Sequence, residues 1–175
     1  MKKLLILLLV PILIAMSLNV SAKRLIEGYG DFKPVANTSF KTPKKVKAVF
    51  DVYTSNEDNE ELNRGINTVA RFLNMHIDAG VKEKNIKAAI VIHGKAGKDI
   101  LTNSAYDKRY IVNNPNAELL KKLHEAGVQI IVCGQTVEFR GYKRDEILDF
   151  VDVSLSAITA LISLQSQGYQ LITFN

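Results

Sequence analysis

One cysteine among 175 residues excludes an internal disulfide, so any covalent staple is absent from this chain. Other signatures are missing too. No Gly-x-Gly-x-x-Gly follows a strand, which argues against a dinucleotide cofactor. No Gly-x-Ser-x-Gly elbow is present for a serine hydrolase. His76, His93, His124 and Cys133 share no local zinc-ligand spacing, so no metal is expected. Gly94-Lys95-Ala96-Gly97-Lys98-Asp99 has glycines too close together for a phosphate loop, and Asp99 stands where a hydroxyl residue belongs. Lysines and acids are interspersed despite a net charge of +5, and no basic stripe is interleaved with aromatics. Nucleic acid is therefore not an expected partner. Internal repeats and low-complexity tracts are also lacking.

What is present begins with the amino terminus. Met1-Lys2-Lys3 is a short basic start, Leu4 to Met16 is apolar but for Pro11, and Val20-Ser21-Ala22 supplies small residues for cleavage. That three-part layout is a secretory signal over residues 1–22. The run is shorter than the ~20 apolar residues of a membrane anchor, so no stable span is expected after cleavage. The implied compartment lies outside the cytoplasm, a bacterial periplasm being the natural one, and is disulfide-permissive. Residues 23–45, with Gly28, Gly30, Pro34 and Pro43, read as an extended arm that either wraps a neighbouring subunit or stays loosely ordered.

Residues 46–175 carry a different pattern, of a length that suits one domain with a proper core. Val46 to Tyr53 is branched and aromatic, as a strand requires. Leu62, Ile66, Val69, Leu73 and Ile77 recur every three or four residues, with Arg64, Asn67, Arg71, Asn74 and Asp78 on another face: an amphipathic helix ended by Gly80. Ile86 to His93 is a nearly all-apolar strand. Asn116 to Ala126 is a helix with Asn116 as cap and Gly127 as stop, and Val128 to Cys133 is the next strand. A short extended piece at Val151–Leu155, a helix at Ala157–Gln167 and a last strand at Tyr169–Phe174 complete the chain. Alternating strands and helices with short connections give an α/β fold, a three-layer α/β/α sandwich with a mostly parallel sheet of the flavodoxin-like type.

His93-Gly94 and Cys133-Gly134 each end a strand. Parallel strands deliver both residues to the carboxyl edge of the sheet, where ligands bind in open α/β sheets. An imidazolium beside the thiol would favour the reactive thiolate. Equally, a free cysteine is often a small buried hydrophobe, and His93 often just bonds a loop backbone. If Gln135 to Tyr142 turns helical, its free N–H groups also favour a thiolate, and Arg140 adds positive charge.

Val91-Ile92-His93-Gly94, Asn114-Pro115, Gly127 to Thr136 and Leu164 to Tyr169 occur here in an order and spacing that resemble the DsrE/DsrF-like (DsrE, TusD, YchN) sulfur-relay family, in its exported single-domain branch. The resemblance covers about Val46 to Phe174. It implies a homo-oligomer, a trimer or a hexamer, and a persulfide carried on Cys133 between donor and acceptor proteins. It implies His93 as a pocket neighbour, a ligand-binding wall of Gly94, Gly134, Gln135 and Arg140, and no metal or organic cofactor. The alternative is a non-catalytic oligomeric module that holds a small ligand or a soft metal ion such as copper(I) at Cys133 and His93.

Overall fold

The structure is a computed structural model and describes residues 22–174; the expected signal segment lies outside them but for Ala22. Five strands form one sheet in the order β4-β3-β2-β1-β5: β1 (Val46–Val52), β2 (Ile86–Ile92), β3 (Gln129–Cys133), β4 (Asp152–Ser154) and β5 (Gln170–Thr173). Every pairing is parallel. The chain starts in the middle, steps outward to β4, and returns to add β5 on the other side of β1. Parallel pairing requires crossovers, and these are α1 (Arg64–Asp78), α2 (Asn103–Tyr110), α3 (Ala117–Glu125), α4 (Gly134–Arg140) and α5 (Ala157–Ser166). No helix among the described residues is long and apolar enough to cross a membrane.

The expected α/β/α layering is what the fold has, with an unequal division. Strand residues alternate between faces. Ala48, Phe50, Ile90, Ile92, Ile130 and Val132 pack with α1, α3 and their neighbours into the main core. Val49, Ala89, Val91 and Cys133 point the other way, onto Ala157, Ala160 and Leu164 of α5. Face one is thick; face two is a single helix.

The first part of the arm, residues 23–31, lies against its own domain. The polar stripe of α1 receives it. Asn74 is fully buried, its Oδ1 accepting from the Leu25 and Ile26 amides and its Nδ2 donating to the Ile26 and Tyr29 carbonyls. Asn67 Oδ1 accepts from Gly30 N–H, Arg71 donates to Asp31 O, and Asp78 accepts from Lys23 N–H. Ile26 enters the core. Gly30 is required there, because a Cβ would overlap the Ala70–Arg71 backbone. The face of α1 flanking its apolar stripe is thus a docking surface for residues 23–31.

Two segments carry helix that the hydrophobic period does not announce: a 3-10 run at Gly94–Ile100, and α2 with only Ala105 and Tyr106 buried. Asn116 sits at the start of α3 but does not cap it; its Oδ1 accepts from Asn63 N–H, 2.8 Å away, and joins two loops.

Candidate functional site

Register decides which side chains meet at the carboxyl edge. Ile92 pairs with Val132 and Asp51 with Val91, so His93 and Cys133 follow as the next step of adjacent strands. Asp51, His93 and Cys133 all fall on the α5 side by strand alternation. The structure therefore brings the two expected residues to one edge and adds a carboxylate that the sequence reading missed.

Cys133 is 6% exposed and closes β3, with the first turn of α4 beginning at Gly134. Burial pushes its thiol up. Hydrogen bonds from the Thr136 amide and hydroxyl, and from the Ala157 and Gln135 amides, outweigh that and hold it below the ordinary thiol value. Thr136 also accepts from Gly94 N–H at 3.1 Å, so one hydroxyl ties the end of β2 to the thiol on β3. Thr136 belongs to the Cys-Gly-Gln-Thr run, where a hydroxyl two residues after a Cys-Gly strand end was the available cue.

His93 is half-buried, and its Nε2 lies 2.7 Å from Asp51 Oδ1. Its ring meets the edge of Tyr53 at 5.2 Å. The partner of His93 is thus a carboxylate on β1, and the donors holding the thiol down are amides and a hydroxyl. Asp51 fixes the imidazole in place.

The four expected wall residues are all at this edge, with different duties. Gly94 has a φ of 58°, and a Cβ there would run into the Tyr53 ring. Its carbonyl accepts from Arg140 Nε at 3.1 Å, so Arg140 clamps the loop after β2. Gly134 packs against the carbonyl of Ser154, leaving no room for any side chain. Gln135 reaches the Leu155 carbonyl at 3.5 Å. Among the described residues no group of three or more His, Cys, Asp or Glu is placed to hold a metal ion.

The family model of the DsrE/DsrF-like family matches residues 47–174. The chain belongs to the DsrE/DsrF-like family. That family is associated with sulfur relay, and its members are typically oligomeric. Among solved structures, the MTH1491 protein of Methanobacterium thermoautotrophicum, of unknown function, is similar with a TM-score of 0.55 and 18% identity, covering 74% of this chain and all of that one. The ychN protein of E. coli gives a TM-score of 0.48 at 16% identity, covering 74% of this chain and 99% of its own. No curated protein matches the chain.

Proposed function

We propose that this DsrE-like protein is exported, assembles as a homo-oligomer, and carries sulfane sulfur as a persulfide on Cys133. The observation that carries this reading is the thiol's setting: nearly buried at the carboxyl edge of the sheet, yet held below the ordinary thiol value by N–H and O–H donors. Buried structural cysteines shift the other way, because an apolar surround disfavours the thiolate.

The step is thiol exchange. Cys133 thiolate attacks the outer sulfur of a polysulfide or a donor persulfide; a new S–S bond forms, the donor S–S bond breaks, and the donor sulfur leaves as a thiolate with the electron pair. An acceptor thiolate then takes the outer sulfur and returns Cys133 as a thiolate. The donors from Gln135, Thr136 and Ala157 stabilise negative charge on Cys133 in both steps. His93, oriented by Asp51, is a pocket neighbour at the same edge. Gly94, Gly134, Gln135 and Arg140 shape the wall rather than react.

Assembly is supported by the outer surface of α5. Leu155, Ile158 and Ile162 are 74%, 71% and 63% exposed, and no charged residue occurs from Val153 to Asn175. A contiguous apolar patch without charge on a monomer marks a protein interface. A second copy of the chain covers it in this reading.

Intact mass of the unreduced protein, before and after polysulfide, tests the relay. Wild type gains whole sulfur atoms that a reductant removes, Cys133→Ser gains none and keeps its fold, and His93→Ala loads more slowly. Loading that survives in Cys133→Ser defeats the proposal. Absence of loading in a thiol still open to alkylation leaves the non-catalytic binding module instead, with metal content after mild purification as its readout.

A further inference from the structure

A recess unrelated to the thiol lies at the other end of the sheet. Its volume is about 610 Å³, inside the range of small-molecule sites (roughly 300–1,000 Å³). Ala48 of β1, Phe72 of α1 and Ile172 of β5 supply apolar wall, and Phe72 is backed by the Phe50 ring at 5.2 Å. Lys45, Lys84 and Lys87 line the same recess, and no acidic residue does. Two separate chain segments contribute these cations. They converge because Asn85 Nδ2 donates to the Lys44 carbonyl at 3.1 Å, which ties the end of the arm to the turn before β2. Lys47 is already occupied, donating to Gln167 O and lying over the Tyr169 ring. Lys45, Lys84 and Lys87 make no ion pair among the described residues.

An apolar hollow would ordinarily be rimmed by mixed charge. Here its cations repel one another, and each is relieved when a negative group enters. A cationic ligand gains nothing from such a rim, and a neutral one leaves the repulsion standing. We propose that this recess binds a free amphiphilic anion, a carboxylate or similar acidic head on an apolar alkyl or aromatic body. The body lies against Ala48, Phe72 and Ile172, and the head meets Lys45 and Lys84. The site is separate from sulfur chemistry, since the seven residues of β1 at ~3.3 Å each put about 20 Å between its ends. A concave pocket of this size suits a soluble monomeric ligand rather than a flat bilayer.

Calorimetric titration of the full chain with sodium dodecanoate below its micelle concentration tests this, with dodecyltrimethylammonium as the cationic control. The expected result is saturable binding of one dodecanoate per chain, weakened at least tenfold in Lys45→Glu/Lys84→Glu, with little binding of the cation. The same variant should alkylate Cys133 at the wild-type rate, which shows an intact fold and keeps the result independent of the relay proposal. Lys45→Ala/Lys84→Ala serves as the milder pair and should show a smaller loss. No saturable binding, equal binding of the cationic amphiphile, or affinity unchanged in the charge-reversed variant overturns the site. So does association with anionic phospholipid vesicles in the absence of dodecanoate binding, which would make the lysines a membrane-facing patch.

Discussion

The two faces of the sheet are finished to different degrees. The face under α1 and α3 holds the larger core, takes in Ile26 from the arm, and joins distant segments through the buried side chains of Asn63, Asn74 and Asn114. The other face has one helix, a seven-residue cluster, and apolar side chains left in solvent on α5, with Leu171 on β5 on the same side. Cys133 belongs to the second. A face completed within the chain reads as stability, whereas one left bare while holding the nucleophile reads as a place where other molecules come and go. The comparison breaks most readily on the bare side. Ile158→Glu/Ile162→Glu places two charges on positions that cost an isolated subunit little, because they already face water. Light scattering after gel filtration should show an oligomer for wild type and a folded monomer for the variant. A wild-type monomer, or a variant that stays assembled, removes the distinction between the faces.

On the finished side the largest expected loss is stability. Asn74→Ala deletes five of the hydrogen bonds that hold the arm and leaves the buried Ile26 amide and carbonyl without their partner. At ~1–3 kcal/mol for each stranded buried group, the cost should be about 4 kcal/mol. Urea unfolding should show it, and limited proteolysis should release the arm first. Equal stability would mean that the arm contributes nothing to this face.

How much of this was legible in the residues follows the same division. The strands and the main helices were readable because burial on a sheet or against one stripe imposes periods of 2 and 3.6 on the apolar residues. Boundaries moved by about one residue: Tyr53 leaves β1, and β4 shrinks to Asp152–Ser154. Asn74 was read as part of a second face of α1 because its spacing set it off the apolar stripe, and periodicity cannot see a distant segment folding over it. Asn116 looked like a helix cap for the same local reason. The strand ends His93 and Cys133 were legible from glycine punctuation; Asp51 was not, since it sits inside a good strand and its partner is 42 residues away. Thr136 lay in a quoted motif, but only the fold brings it to Gly94. Local order was in the sequence, and cross-chain polar pairing was not.

Asp99 sharpens the picture of the finished side through pH. Its carboxylate is fully buried and accepts from Asn63 Nδ2 at 2.6 Å and Ser55 Oγ at 3.0 Å, but burial dominates and raises its pKa from the usual 3.8 to about 6. The folded protein therefore binds this proton more tightly than the unfolded chain does. Its contribution is fully present below pH 3.8 and is lost as pH rises through about 6. The difference corresponds to at most about 3 kcal/mol. Asp99→Asn keeps an acceptor for Asn63 and abolishes the proton, so the wild-type minus variant stability should fall between pH 4 and 6. A flat difference would show that the carboxylate is relieved by its hydrogen bonds.

The smallest expected effect tests the chemistry of the bare side. Thr136→Val preserves shape while removing the hydroxyl that donates to Cys133 and accepts from Gly94 N–H. Amides from Gln135, Thr136 and Ala157 remain, so the thiol pKa should rise only part of the way back toward its ordinary value. The pH dependence of iodoacetamide alkylation measures this directly: the midpoint should move up while the plateau rate at high pH stays within a small factor. A plateau that falls with an unmoved midpoint would assign Thr136 to access rather than charge. The same profile in His93→Ala tests whether the imidazole, already paired with Asp51, adds to those donors. If removing the imidazole moves the midpoint less than removing the hydroxyl, the reactive form of Cys133 depends on α4 and the loop before α5 more than on the neighbouring strand.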